Sequence, residues 1–148
     1  MIDNLFAQPG RNQRPFIKIC GLTEPETAHE CAAAGADAIG LVFFQKSSRN
    51  VSIDQAAAIT RTLPASAVPI GVFVDQPYDT IMKKVHHCGL LGIQLHGSES
   101  PKLVEKITGE GIFVIKALFA AKAPLLNQYE AYEHASCILV EYGKGILP

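Results

Sequence analysis

Six short apolar runs recur along this chain, each leading into a polar turn or a stretch with helix start and stop signals, and no other feature restricts its fold so strongly. Phe16 to Cys20 reads as a buried strand, and Glu24 to Ala34 as a helix with Thr23 as N-cap, Pro25 in the first turn and Gly35 as its stop. Ala38 to Phe44 is a second strand; the polar loop Gln45 to Asn50 follows, then a helix capped by Ser52 and running to about Leu63. Pro69 to Val74 gives strand three, and Pro77 to His87 a helix closed by Gly89. Strand four, Leu91 to Leu95, leads through His96-Gly97 to a helix opened by Ser100-Pro101. Strand five covers Ile112 to Ala117, Pro124 to Glu133 is a weaker helix, and Ile138 to Val140 is strand six, ended by Glu141. Strands joined by helical crossovers argue for an α/β fold with a parallel sheet covered by helices.

At 148 residues the chain suits one domain with a real core and is too short for two. A polar arm is expected at 1–15, with the folded domain at 16–148. The arm lacks the apolar centre of a secretory signal, and no apolar run approaches the roughly 20 residues of a membrane span. A formal net charge of -1 with scattered basic residues gives no footprint for nucleic acid or an anionic membrane. The expected location is cytoplasmic. Cys20, Cys31, Cys88 and Cys137 show no paired spacing, so neither a disulfide nor a zinc site is expected. His86 and His87 beside Cys88 point to different faces of a helix and make a poor chelate.

In a parallel sheet all strand ends lie on one rim, the usual place for chemistry. Strand one brings Cys20 there, the second loop Lys46 and Arg49, the third Asp75, the fourth His96, the fifth Lys116 and the sixth Glu141. Each has a plain structural reading: a core thiol, a solvated loop arginine, a satisfied core histidine, a turn aspartate, a solvated glutamate. Alternation puts Lys18 on the same face as Cys20, about 6.6 Å along the strand. An inward lysine is costly unless used, and it could lower the thiol pKa. Lys46, two serines and Arg49 in one short loop make a fair anion site, since a guanidinium grips a carboxylate bidentately.

The runs Lys18-Ile19-Cys20-Gly21-Leu22-Thr23, Gly35 to Phe43, Lys46-Ser47-Ser48-Arg49, Gly71-Val72-Phe73-Val74 and Gln94-Leu95-His96-Gly97 together resemble phosphoribosylanthranilate isomerase of tryptophan biosynthesis. The resemblance implies a (β/α)₈ barrel of TIM type, no cofactor and no metal, and a phosphosugar substrate rearranged by proton transfers. It maps Cys20 onto the family's general base and Arg49 onto the arginine that holds the anthranilate carboxylate. The general acid is an aspartate in the family and falls on Glu141; Lys18 and His96 are expected to be substrate-pocket groups.

A barrel of this type has eight units and at least about 200 residues, whereas about six units are readable here. The expectation is therefore an incomplete barrel, C-terminally truncated, with impaired activity because the loops after strands seven and eight usually hold phosphate. Open edges at strands one and six would favour self-association. The alternative is a non-catalytic partial barrel that associates with itself or a partner; another phosphosugar-handling barrel enzyme is the weakest reading.

Overall fold

The computed structural model of the protein describes residues 14–143. Of the arm expected at 1–15 only Arg14 and Pro15 fall within that span, and 144–148 also lie outside the described residues. All six apolar runs form strands: β1 (Lys18–Cys20), β2 (Ala38–Phe43), β3 (Val68–Phe73), β4 (Gly92–Leu95), β5 (Phe113–Phe119) and β6 (Cys137–Glu141). Each pairs in parallel with the next, so the sheet order is the chain order. β2 to β5 are buried along their whole length, as expected of parallel strands covered on both faces.

The crossovers carry α1 (Pro25–Ala33), α2 (Ile53–Thr62), α3 (Tyr78–Cys88) and α4 (Pro101–Gly109). Ser52 caps α2 in a reciprocal box: its Oγ accepts from Gln55 N at 3.1 Å and its N–H donates to Gln55 Oε1 at 2.9 Å. Ser100 caps α4 through Leu103 N, and Gly89 ends α3 in the left-handed region at φ 62°. Two expectations are corrected. The N-cap of α1 is Glu24, without a side-chain cap bond, and not Thr23; Pro25 holds the residue before it extended. The link from β5 to β6 forms a 3-10 helix, Leu126–Tyr132, where a weaker helix over Pro124 to Glu133 was expected.

On the convex face, Ile39, Leu41, Phe73 and Ile93 pack against Ile59, Ile81, Val85 and Val104 of the helices in one large cluster. On the concave face, Ala38, Val68, Ile70, Phe113 and Ile115 form a smaller one, joined by Phe16 from beside β1 and by Cys137 and Leu139 of β6. First and last strands therefore face each other across the concavity, and the sheet is a curled, open half-barrel of TIM type. At the opposite rim from the strand ends, Arg14 grips buried Asp37 with two bonds of 2.7 and 2.9 Å, and Ile17 N donates to the same carboxylate. This clamp fixes how the chain enters β1.

Candidate active site

Lys18 and Cys20 of β1, Arg49 from the loop after β2, His96 after β4 and Glu141 at the end of β6 line a single cavity of 460 Å³. These are the five candidates named from sequence, and the curl of the sheet brings all of them together. The alternation on β1 is also as read: Ile19 packs toward the helices while Lys18 and Cys20 face the cavity.

Two glycines make room for this arrangement. Cys20 is paired in register with Gly40, where an added Cβ would lie 2.5 Å from the Cys20 Sγ. Gly21 has φ 85°, and a Cβ there would meet the Arg49 Cδ at 2.5 Å. The thiol leans over β2, and the arginine stem crosses the turn that follows Cys20. Both approaches need a residue without a side chain.

His96 is 5% exposed and held from several sides. Its Nδ1 is 2.7 Å from Gln94 Nε2, its Nε2 is 3.4 Å from Glu141 Oε2, and its ring meets Phe119 edge-on at 5.5 Å. Because an amide nitrogen can only donate, Nδ1 accepts and the neutral ring carries its proton on Nε2, facing Glu141. Burial pushes the imidazole below the ordinary histidine value; the Glu141 carboxylate opposes this and Lys122 reinforces it. Gln94 was not singled out from sequence, although a lone amide in an otherwise apolar buried strand is a readable signal. Across the concave face, burial raises the Cys137 thiol pKa and the Lys18 ammonium restrains the rise.

Three other rim residues do not join the cavity. Lys46 lines a neighbouring groove with Asn50, Thr80 and Lys84. Asp75 is a turn residue at φ 50° whose Oδ1 accepts from Ser98 N at 2.7 Å. Lys116 points away from the cavity: β5 extends to Phe119, so Lys116 lies within it, on the convex face, fully buried and paired with Glu99 at 2.9 Å. Among the described residues no group of three or more histidine, cysteine or acidic side chains could hold a metal ion, all four cysteines are free thiols, and no helix is long and apolar enough to cross a membrane.

Residues 17–146 match the family model for N-(5'-phosphoribosyl)anthranilate (PRA) isomerase. The N-(5'-phosphoribosyl)anthranilate isomerase of Desulfatibacillum aliphaticivorans is 47% identical over 132 residues, covering 89% of this chain and 60% of that protein. The same-named protein of Rubrobacter xylanophilus is 39% identical over 125 residues, covering 84% and 61%. Among solved structures, phosphoribosyl anthranilate isomerase from Thermotoga maritima superposes with a TM-score of 0.81 at 32% identity, covering 89% of this chain and 64% of that one. A phosphoribosyl anthranilate isomerase solved in complex with reduced 1-(o-carboxyphenylamino)-1-deoxyribulose 5-phosphate gives a TM-score of 0.80 at 34% identity, with 88% and 66% covered. The chain thus spans about 60% of the length of the curated relatives it matches. Five candidate residues on one cavity, a family match over nearly all the described residues and the shared half-barrel agree: the chain belongs to the N-(5'-phosphoribosyl)anthranilate isomerase family.

Proposed function

We propose that this cavity carries the strand-end groups for the Amadori rearrangement of N-(5-phosphoribosyl)anthranilate to 1-(2-carboxyphenylamino)-1-deoxyribulose 5-phosphate. The observation that carries the reading is the convergence of a thiol, a guanidinium and a carboxyl from β1, the second loop and β6 on one cavity. Arg49 anchors the anthranilate carboxylate. Glu141 protonates the ribose ring oxygen; the C1–O bond breaks toward that oxygen and the nitrogen lone pair closes a Schiff base. The Cys20 thiolate then takes the C2 proton, giving an enolamine whose C2 hydroxyl loses its proton as C1 gains one, which leaves the ketone with no net change in protons. Base and acid on facing strands suit proton transfer at two different points of one sugar. Lys18 and His96 serve as polar groups of the pocket. Glu141 is one methylene longer than the family's aspartate, and its contact with His96 is what orients the longer arm.

The test is turnover by the purified 148-residue chain, followed by loss of N-(5-phosphoribosyl)anthranilate fluorescence, together with calorimetric binding of the reduced product analogue that a solved relative holds. Expected results are turnover abolished by Cys20→Ala and analogue binding weakened by Arg49→Ala. Rescue of an isomerase-deficient tryptophan auxotroph that survives Cys20→Ala would remove the assignment.

Self-association belongs to the same proposal. Ile17 beside β1 and Val140 on β6 are exposed, and one solved relative is described as monomers generated from the dimeric phosphoribosylanthranilate isomerase of Thermotoga maritima. Sedimentation showing a monomer at all concentrations would overturn that part.

A further inference from the structure

Lys116 is the largest charged group buried in the described part of the protein, and it sits behind the cavity wall. Its ammonium has three hydrogens and three acceptors: Leu95 O at 3.2 Å, Gly97 O at 2.7 Å and Glu99 Oε2 at 2.9 Å. Glu99, itself 1% exposed, accepts in turn from Gly97 N at 3.0 Å and from Asp75 N at 3.0 Å. The Tyr132 hydroxyl donates to Glu99 O at 3.0 Å and ties the 3-10 helix to the same point. Asp75 closes the frame through Ser98 N, and His96 N donates to Phe73 O at 2.8 Å. The backbone is thus gripped immediately before and after His96, by a pair whose charges lie on the far side of the wall from the imidazole.

A buried ion pair is a weak source of net stability, because desolvation offsets most of the attraction. Its better-attested use is to impose one geometry. The carbonyls of Leu95 and Gly97 and the N–H of Gly97 leave the His96 turn no freedom to rotate, so the ring enters the cavity at one angle. That angle sets both the Gln94 contact on Nδ1 and the Glu141 contact on Nε2.

We propose that Lys116 and Glu99 are positioning residues that act through the His96 turn to hold the imidazole, and with it the Glu141 carboxyl, in the cavity. The part of this that concerns turnover rests on the isomerase reading; the part that concerns the imidazole does not. The other charged groups that act on this ring are Glu141, from β6, and Lys122, from the segment after β5.

The experiment uses ¹⁵N-histidine-labelled protein and the double variant Lys116→Met/Glu99→Gln. Removing both charges removes one group that lowers and one that raises the His96 pKa, so the direct effects oppose and what remains reports position. In the unaltered protein the neutral ring, fixed as one tautomer, gives two well-separated ring-nitrogen resonances. In the variant these converge as the tautomers average, and the imidazole pKa rises toward its ordinary 6.5. If the separation and the pKa are retained while only the melting temperature falls, the pair is merely structural and the proposal fails. Should the double variant not fold, Glu99→Gln alone gives the ring-nitrogen readout, which does not depend on the two charges cancelling, and an unchanged ring-nitrogen separation overturns the proposal equally. Where the unaltered protein turns over substrate, the variant loses roughly 10-fold to 100-fold in kcat with KM retained, the range for displacements near 1 Å. Absence of turnover in the unaltered protein counts against the isomerase reading, and the nitrogen spectrum alone then decides the positioning role.

Discussion

Replacing Gly40 by alanine puts one methyl group where the structure has no space for it. Its Cβ would stand 2.5 Å from the Cys20 Sγ and 3.1 Å from both the Cα and the Cβ of Cys20. Favourable contact between carbon atoms begins near 3.5 Å, so the overlap with sulfur approaches 1 Å and that with the backbone is about 0.4 Å. A rotation of the Cys20 side chain moves the sulfur but leaves the backbone contact, so β1 must shift away from β2. Overpacking of this kind costs about 1–3 kcal/mol, which lowers Tm by roughly 3–10 °C for a chain of this size. The thiol, displaced from β2 into the cavity, gains access to solvent. Gly109 provides the control: it ends α4, and an added Cβ meets nothing within 4 Å. Gly109→Ala is expected to be neutral or to stabilise by about 0.4–1 kcal/mol through the unfolded chain. Calorimetry gives the two melting temperatures, and peptide-resolved alkylation gives the Cys20 rate, expected to rise only in Gly40→Ala. Equal melting temperatures and equal Cys20 rates in the two variants would refute the idea that Gly40 is needed to seat the thiol.

Ser52→Ala removes the cap of α2 and is expected to lower stability by about 1 kcal/mol in chemical denaturation, with Gln55→Ala costing less because Gln55 supplies only the return bond. The folded-state pKa of His96 lies below its unfolded value of 6.5 because of burial, so as pH falls below 6.5 the unfolded chain takes up that proton first and stability declines, by up to about 1.4 kcal/mol per unit of pKa difference; melting at pH 7.5 and 5.5 should show a gap that narrows in His96→Gln. Burial leaves Cys88 2% exposed with its thiol pKa raised, whereas Cys20 lines the cavity, so limited iodoacetamide read by mass spectrometry should modify Cys20 well before Cys88.

The six strands and their ends were legible because glycine, proline and short apolar runs mark each β/α unit, and parallel pairing brings every strand end to one rim; the barrel order and the narrowing of that rim to the five cavity residues came with the family resemblance. What was misplaced followed from information that periodicity does not contain. Phe113–Phe119 is apolar on both faces, so the sequence holds no clue to which face Lys116 takes. Its true direction depends on Glu99, seventeen residues earlier, being present to receive it. The first helix begins at Pro25, and the N-cap followed the steric effect of the proline rather than the hydrogen-bonding habit of Thr23. The segment after β5 lacks a strong apolar stripe and settled for a 3-10 helix anchored by Tyr132. Gln94 and Gly40 lie inside strands that read as plain core; their roles arise only when neighbouring strands place His96 and Cys20 against them.

Cys20 and Glu141 stand on the two outermost strands of a sheet built strictly in chain order, so no single contact sets the width between them. That width is the accumulated result of five strand-to-strand steps. A small error at any one step is delivered undiminished to the jaws, as in a spring caliper. At Gly71, in the middle of the wall, a methyl group would come 2.6 Å from Leu90 Cδ1 and 2.7 Å from Phe73 Cε2, and it would touch neither jaw. The shift it forces would still alter the gap between thiol and carboxyl. The alignment tolerance of the chemistry is therefore shared out along the whole wall, and the plainest aliphatic positions of β2 to β5 become its calibration.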